Sequence, residues 1–223
     1  MVCLPKSNLL LPFVALLWTV SSFPFIARSS PHPSSSLFLA ESASLDDVRI
    51  LKMMLEEQAG GLQNGLNASP EERESIGSII VSLESMNEEK ELTTSPKLNG
   101  EWRLLYTTNT GSSAGKIGPL VGKVTQVVDL ASRSYSNNVS ILPGLSATLD
   151  ATWENDAFSF QTLWTVIFKR LSFKVFGVAV GGKDLEQKGL WRMSFLDDSL
   201  RILHAKGGKN LPENVYVLTK VKK

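Results

Sequence analysis

The sequence predicts a mainly β protein: an antiparallel β-barrel of eight or nine short strands, preceded by two or three helices. Three observations carry this reading. Before Pro96 the apolar residues recur at helical spacing, and after it they alternate. Turn-forming clusters ("LPG", "END", "VGGKD", "AKGGKNLPEN") separate the alternating runs. Helices and strands are segregated along the chain instead of interleaved, which argues for a closed antiparallel sheet over a parallel one.

The first forty residues read as an address. "MVCLPKSNLLLPFVALLWTVSS" has one early lysine, an apolar run from Leu9 to Val20, then small residues, so residues 1–22 are assigned to a signal peptide. Residues 23–40 are serine-rich and lack acids, as a plastid transit segment does. A signal peptide followed by a transit segment that opens on Phe23 resembles the bipartite leaders of algae with secondary plastids. The competing layout is a plain secretory signal with a linker. Against it stands the absence of cysteine downstream of Cys3. That absence also excludes disulfides, thiolate metal sites and a cysteine nucleophile from the rest of the chain.

Residues 41–95 are expected to form a helical lead. Ser44 and Asp47 have capping-box character, and Leu45, Val48, Leu51, Met54 and Leu55 fall on one stripe. "AGGLQNG" interrupts it. Ser69-Pro70-Glu71-Glu72 starts a second helix with Ile76, Ile79, Ile80, Leu83 and Met86 inward. "NEEKE" reads as a solvated helix end. Residues 96–223 form the barrel, with strands expected near 100–108, 123–130, 134–141, 146–154, 157–169, 173–180, 189–197, 199–206 and 214–220.

Catalytic motifs are scarce. The 223-residue chain has a net charge of +1, and beyond residue 40 it holds 21 basic against 22 acidic residues, which is no nucleic-acid footprint. "GSSAGKI" lacks the spacing and the hydroxyl of a phosphate loop and reads as a glycine-rich connection. His32 lies in the leader, leaving His204 without any partner at motif spacing. Asp197-Asp198 reads as a hairpin turn with Ser199, because adjacent residues on a strand point to opposite faces. No catalytic residue, cofactor or metal is expected.

Aromatic residues at alternating strand positions are the stronger signal. Trp102, Trp153, Phe158, Phe160, Trp164, Phe168, Trp191 and Phe195, with Leu104 and Tyr106, either fill a solid core or line a pocket for an apolar ligand. Gln126, Thr162, Arg201 and His204 are the candidates for its polar groups.

Two blocks resemble the plastid lipid-associated protein family, the fibrillins. "SPKLNGEWRLLYTT" (95–108) is close to that family's Leu-x-Gly-x-Trp-x-Leu-Leu-Tyr-Thr-Thr opening, and "LWRMSFLDDSLRI" (190–202) resembles its Thr-Tyr-Leu-Asp-x-x-Leu-Arg-Ile element. "TQVVDL" (125–130) and "NVYVLTK" (214–220) extend the likeness over roughly residues 45–220. His204 and Ala205 depart from it, standing where relatives have arginine and glycine. The resemblance implies a lipocalin-like barrel that binds or organises apolar lipids (carotenoid, quinone or membrane lipid) at thylakoids or plastoglobules. It also implies that Trp102 and Arg201 close one barrel end. The partners it suggests are an apolar lipid or isoprenoid and a peripheral membrane or lipid-droplet surface. A lipocalin-fold enzyme acting on a prenyl lipid or carotenoid is the alternative. So is a scaffold whose helical lead recruits a lipid-synthesis enzyme as protein partner.

Overall fold

Eight strands close on themselves through antiparallel hydrogen bonding. The computed structural model describes the backbone over residues 34–155, 162–207 and 211–222, with side chains from Ser44 onward. The signal peptide, most of the transit segment and the predicted strand start at 157–161 lie outside these residues. The helices are α1 (Ser34–Ala59) and α2 (Pro70–Ser85). The strands are β1 (Gly100–Thr107), the two-residue β2 (Lys116–Ile117) and β3 (Leu120–Val121), β4 (Lys123–Asp129), β5 (Ser134–Leu142), β6 (Leu145–Asn155), β7 (Leu163–Val175), β8 (Val178–Asp184), β9 (Lys188–Leu196), β10 (Leu200–Lys206) and β11 (Asn214–Lys220).

Around the barrel the order is β1, β4, β5, β6, β7, β9, β10, β11, and β11 pairs back onto β1. β8 stands outside the ring, paired with the far half of β7. The sequence reading broke this region after residue 169 and resumed at 173. Instead β7 runs unbroken to Val175, because Arg170–Val175 are paired with β6 on one side and β8 on the other. β2 and β3 form a small hairpin within the glycine-rich connection.

The helices pack on the outside of the barrel. Ser69 caps α2 reciprocally: its hydroxyl accepts from the Glu72 N–H, and the Glu72 carboxylate accepts from the Ser69 N–H at 2.7 Å. Ile76, Ile79, Ile80 and Leu83 are buried with Leu55 of α1 against Phe195, Leu200, Ile202 and Val217 of the barrel wall. Three expectations for this region are corrected. Ser44 is no cap, since α1 already runs through it from Ser34. Leu45 and Met54 are exposed, because α1 reaches the barrel through Val48, Leu51 and Leu55. "NEEKE" follows the end of α2 and straps onto the barrel: the Asn87 side chain accepts from the Leu196 N–H, and Glu89 accepts from Ser95.

The β9–β10 turn anchors α1. Asp197 Oδ1 accepts from the N–H groups of Ser199 and Leu200, both at 2.7 Å, while Oδ2 takes the Lys52 ammonium at 2.5 Å. Burial pushes the Asp197 carboxyl up, but these donors more than offset it and hold it below the usual carboxylate range. A depressed pKa stabilises the fold above the unfolded value of about 4 and loses that contribution as pH falls through the folded value. Asp197→Asn should therefore cost about 1–3 kcal/mol at pH 7 and flatten the acid limb of stability. Thermal unfolding of both proteins between neutral and acid pH checks this; parallel curves would refute it.

Candidate functional site

One end of the barrel is sealed by a buried cation. Trp102 is fully buried on β1, and its indole N–H donates to the Leu98 carbonyl at 2.8 Å in the 3-10 turn Pro96–Leu98. The Arg201 guanidinium lies over the indole ring, 5.0 Å from its centroid, and Lys220 Nζ lies 4.8 Å from the same ring. Both distances are within cation–π reach. Lys220 also donates to the Lys97 carbonyl, tying the end of β11 to that turn. Gly100 enters the strand at φ +120°, a conformation that an L side chain rarely adopts. Above this seal the barrel is solid. Trp153 and Trp164 stack at 4.3 Å, and the Trp164 indole N–H donates to the Thr93 carbonyl.

The upper half is hollow. A cavity of about 460 Å³ opens at the other end, within the range of small-molecule sites. Its walls are Tyr135, Leu149, Phe168, Trp191, Leu203 and Tyr216, and its rim includes Ser113, Leu211 and Pro212. Trp191 meets Tyr135 edge-on at 4.8 Å.

Arg201 reaches this cavity through a relay. Its Nη2 donates to Gln126 Oε1 at 2.5 Å, and the Gln126 side chain is close enough to the Tyr135 phenol to influence its ionisation. Gln126 and Tyr135 both line the cavity. Burial lowers the Arg201 pKa to about 10, so it stays cationic at neutral pH, and its Nε and Nη1 lack hydrogen-bond partners among the described residues. Burial raises the Tyr135 phenol well above its usual value, so Tyr135 stays an O–H donor. Asn137 adds a buried side-chain oxygen without a partner. The floor is thus electropositive, and a relay of polarised donors leads from it into an apolar chamber.

The structure sorts the predicted residues. Gln126 and Trp191 line the cavity. Leu104, Trp153 and Trp164 lie in the barrel's interior core and are not among the cavity-lining residues. Tyr106 and Phe195 face the helices, contrary to expectation. In each case a β-bulge is the cause: the register slips at Leu105 on β1 and at Ser194 on β9, and one extra residue turns the next side chain to the other face. Thr162 precedes β7, where its carbonyl accepts from the Met193 N–H, away from the cavity. Phe158 and Phe160 lie outside the described residues. His204 is not a cavity residue either. Its ring meets Glu84 of α2 at 2.6 Å and Glu213 at 3.4 Å. Phe168, one of the alternating aromatics, lines the cavity; Tyr135, Asn137 and Tyr216 were missing from the predicted site, although each sits in the same strand alternation.

The PAP_fibrillin family model matches residues 49–174, more than half of the chain. The chain belongs to the PAP_fibrillin family. Among this PAP_fibrillin chain's relatives is plastid lipid-associated protein 2, chloroplastic, of Brassica campestris, 35% identical over 138 residues. That match covers 56% of this chain and 42% of the relative. A light-induced chloroplastic protein of Solanum demissum is 34% identical over 113 residues, 48% of this chain and 34% of that one. This chain therefore spans less than half the length of either relative. Among solved structures, a bovine odorant binding protein in complex with a selenium-containing odorant overlaps loosely, at a TM-score of 0.35 and 18% identity. The overlap covers 57% of this chain and 75% of that one. The barrel itself is defined by its closed strand pairing.

Removing the sealing indole should be costly. Trp102→Ala leaves a large cavity and an unstacked buried cation, and should destabilise by about 3–5 kcal/mol. Arg201→Lys keeps the charge but loses the planar face, and should cost less while remaining measurable. Chemical denaturation of the three proteins tests the order; a Trp102→Ala midpoint equal to wild type would contradict it.

Proposed function

We propose that this protein holds an apolar lipid with an oxygen-bearing end inside the upper half of the barrel, as a plastid binding protein and not an enzyme. The observation that carries the reading is the contrast between the two barrel halves. One is filled with tryptophan; the other is left open, walled by aromatic and aliphatic side chains, and floored by the Arg201–Gln126–Tyr135 relay. Apolar walls supply affinity through buried area, and a few placed polar groups fix orientation. A carbonyl, quinone, hydroxyl or carboxylate oxygen at the floor would accept from Tyr135 and relieve the cost of the buried cation.

Relatives named as plastid lipid-associated and chloroplastic support a lipid ligand and a plastid location. The composition of residues 1–40 is consistent with delivery through a two-part leader. Carotenoids, quinones and membrane lipids all fit the chemistry, and thylakoids or plastoglobules are the places that hold them. His204 is engaged by Glu84 and Glu213 outside the cavity, which supports binding over catalysis by that residue.

Organic extraction of the purified protein followed by mass spectrometry should recover an oxygenated apolar lipid. Tyr135→Phe should lower affinity for that lipid by about three- to tenfold, the loss of one hydrogen bond, and leave affinity for its hydrocarbon analogue unchanged. Ala205→Trp, projecting into the cavity, should reduce both. Retention of no lipid, or equal retention by Ala205→Trp, would overturn the reading.

A further inference from the structure

The far half of β7 and all of β8 form a tongue that runs past the β7–β9 pairing and is held to the barrel along β6. β7 leaves its last pairing with β9 at Ile167 and runs on to Val175, about 26 Å of extended chain. β8 folds back along it with every residue exposed. Beside the tongue tip lies the Leu142–Leu145 turn, tied to it by the Phe176 N–H donating to the Gly144 carbonyl at 2.6 Å. The two turns present one apolar surface: Leu142, Phe173, Val175, Phe176, Val178 and Val180 are all exposed.

The position of this surface is informative. Strand pairing places the end of β7, the start of β6, the end of β10 and the start of β11 at the same barrel end. That is the end where the cavity opens, between Ser113, Leu211 and Pro212. Charge adds direction. Residues 138–149 hold no Asp or Glu, and residues 163–184 hold Lys169, Arg170, Lys174 and Lys183 against one acid, Asp184, which pairs with Arg170 at 2.6 Å and leaves the three lysines in excess.

Phe176 supplies an independent sign. It and Gly177 both have positive φ, +48° and +83°, the pattern of a two-residue hairpin turn that favours Asn-Gly. A bulky side chain is strained there. Yet Phe176 is 82% exposed: part of its ring lies against Gly144, and the small area covered within this chain does little to repay the strain. Asparagine would suit the turn better; phenylalanine suits something outside the molecule.

We propose that the β7–β8 tongue, with the Leu142–Leu145 turn, docks the protein mouth-first onto an anionic lipid surface. The phenylalanine and valines enter the headgroup–acyl boundary while the lysines meet the lipid charge. The cavity mouth is then turned toward the bilayer from which its ligand comes. This rests on the lipid-binding reading above, and adds the route by which the ligand arrives.

The test is flotation of the full chain with vesicles of phosphatidylcholine, with and without phosphatidylglycerol. Wild type should bind, and more strongly with phosphatidylglycerol. Phe176→Asn should weaken binding at least tenfold, the contribution of one buried aromatic side chain, while its melting temperature stays equal or rises. Lys174→Glu with Lys183→Glu should abolish the phosphatidylglycerol advantage and spare binding to phosphatidylcholine alone; each lysine is worth roughly fivefold. Unchanged binding of Phe176→Asn, or no vesicle binding by wild type, would overturn the proposal. So would a lipid-free dimer that Phe176→Asn dissociates, since the tip would then belong to a second copy. Lipid retained by Phe176→Asn in vesicle-free solution separates the two readings: docking lost with ligand kept leaves the cavity reading standing, and docking kept with an empty cavity overturns that reading alone.

Discussion

Everything above the barrel floor depends on a cation that the fold buries without a carboxylate partner among the described residues. Desolvating a guanidinium is expensive, and a bare buried charge would be disfavoured. The indole face of Trp102, the Gln126 carbonyl and the Tyr135 phenol share that charge between them. Because the compensation comes from dipoles and a ring rather than an anion, the floor keeps a net positive field. Trp102 is held in turn by Leu98, and Lys220 fastens the Pro96–Leu98 turn to the last strand. Sealing the barrel and polarising its cavity are therefore one interaction seen from two sides.

The two bulges give the barrel its second layer. At Leu105 and Ser194 an extra residue turns Tyr106 and Phe195 outward, into contact with Leu55 and the α2 isoleucines. Without those slips both rings would point into the barrel, toward the cavity. The helices thus cover a wall made apolar by register changes, and the space left inside is what gives the protein a chamber.

Much of this was legible in the sequence. Alternation gave the nine long strands within a few residues, apart from β7 and β8, and Ser69-Pro70-Glu71-Glu72 gave the start of α2. The first block supplied Trp102 and the second Arg201. Bulges were not legible, because the residues flanking Leu105 and Ser194 alternate as well on paper as in a regular strand. Nor was the β7–β8 turn, since Phe176-Gly177 lacks the usual Asn-Gly signal. Of the tryptophans singled out, Trp153 and Trp164 lie in the packed half and Trp191 borders the cavity. The cavity walls lean equally on Tyr135 and Tyr216, whose polar ends suit a mixed environment.

The division of the barrel into a filled half and a lipid-holding half can be tested with a brominated apolar lipid, which quenches nearby indoles. Trp191 borders the cavity, while Trp102, Trp153 and Trp164 lie in the packed half. Loading the protein should quench part of its fluorescence, and Trp191→Phe should abolish that loss while Trp164→Phe leaves it intact. Quenching that survives Trp191→Phe and disappears in Trp164→Phe would show that lipid enters the sealed half, and would contradict the division.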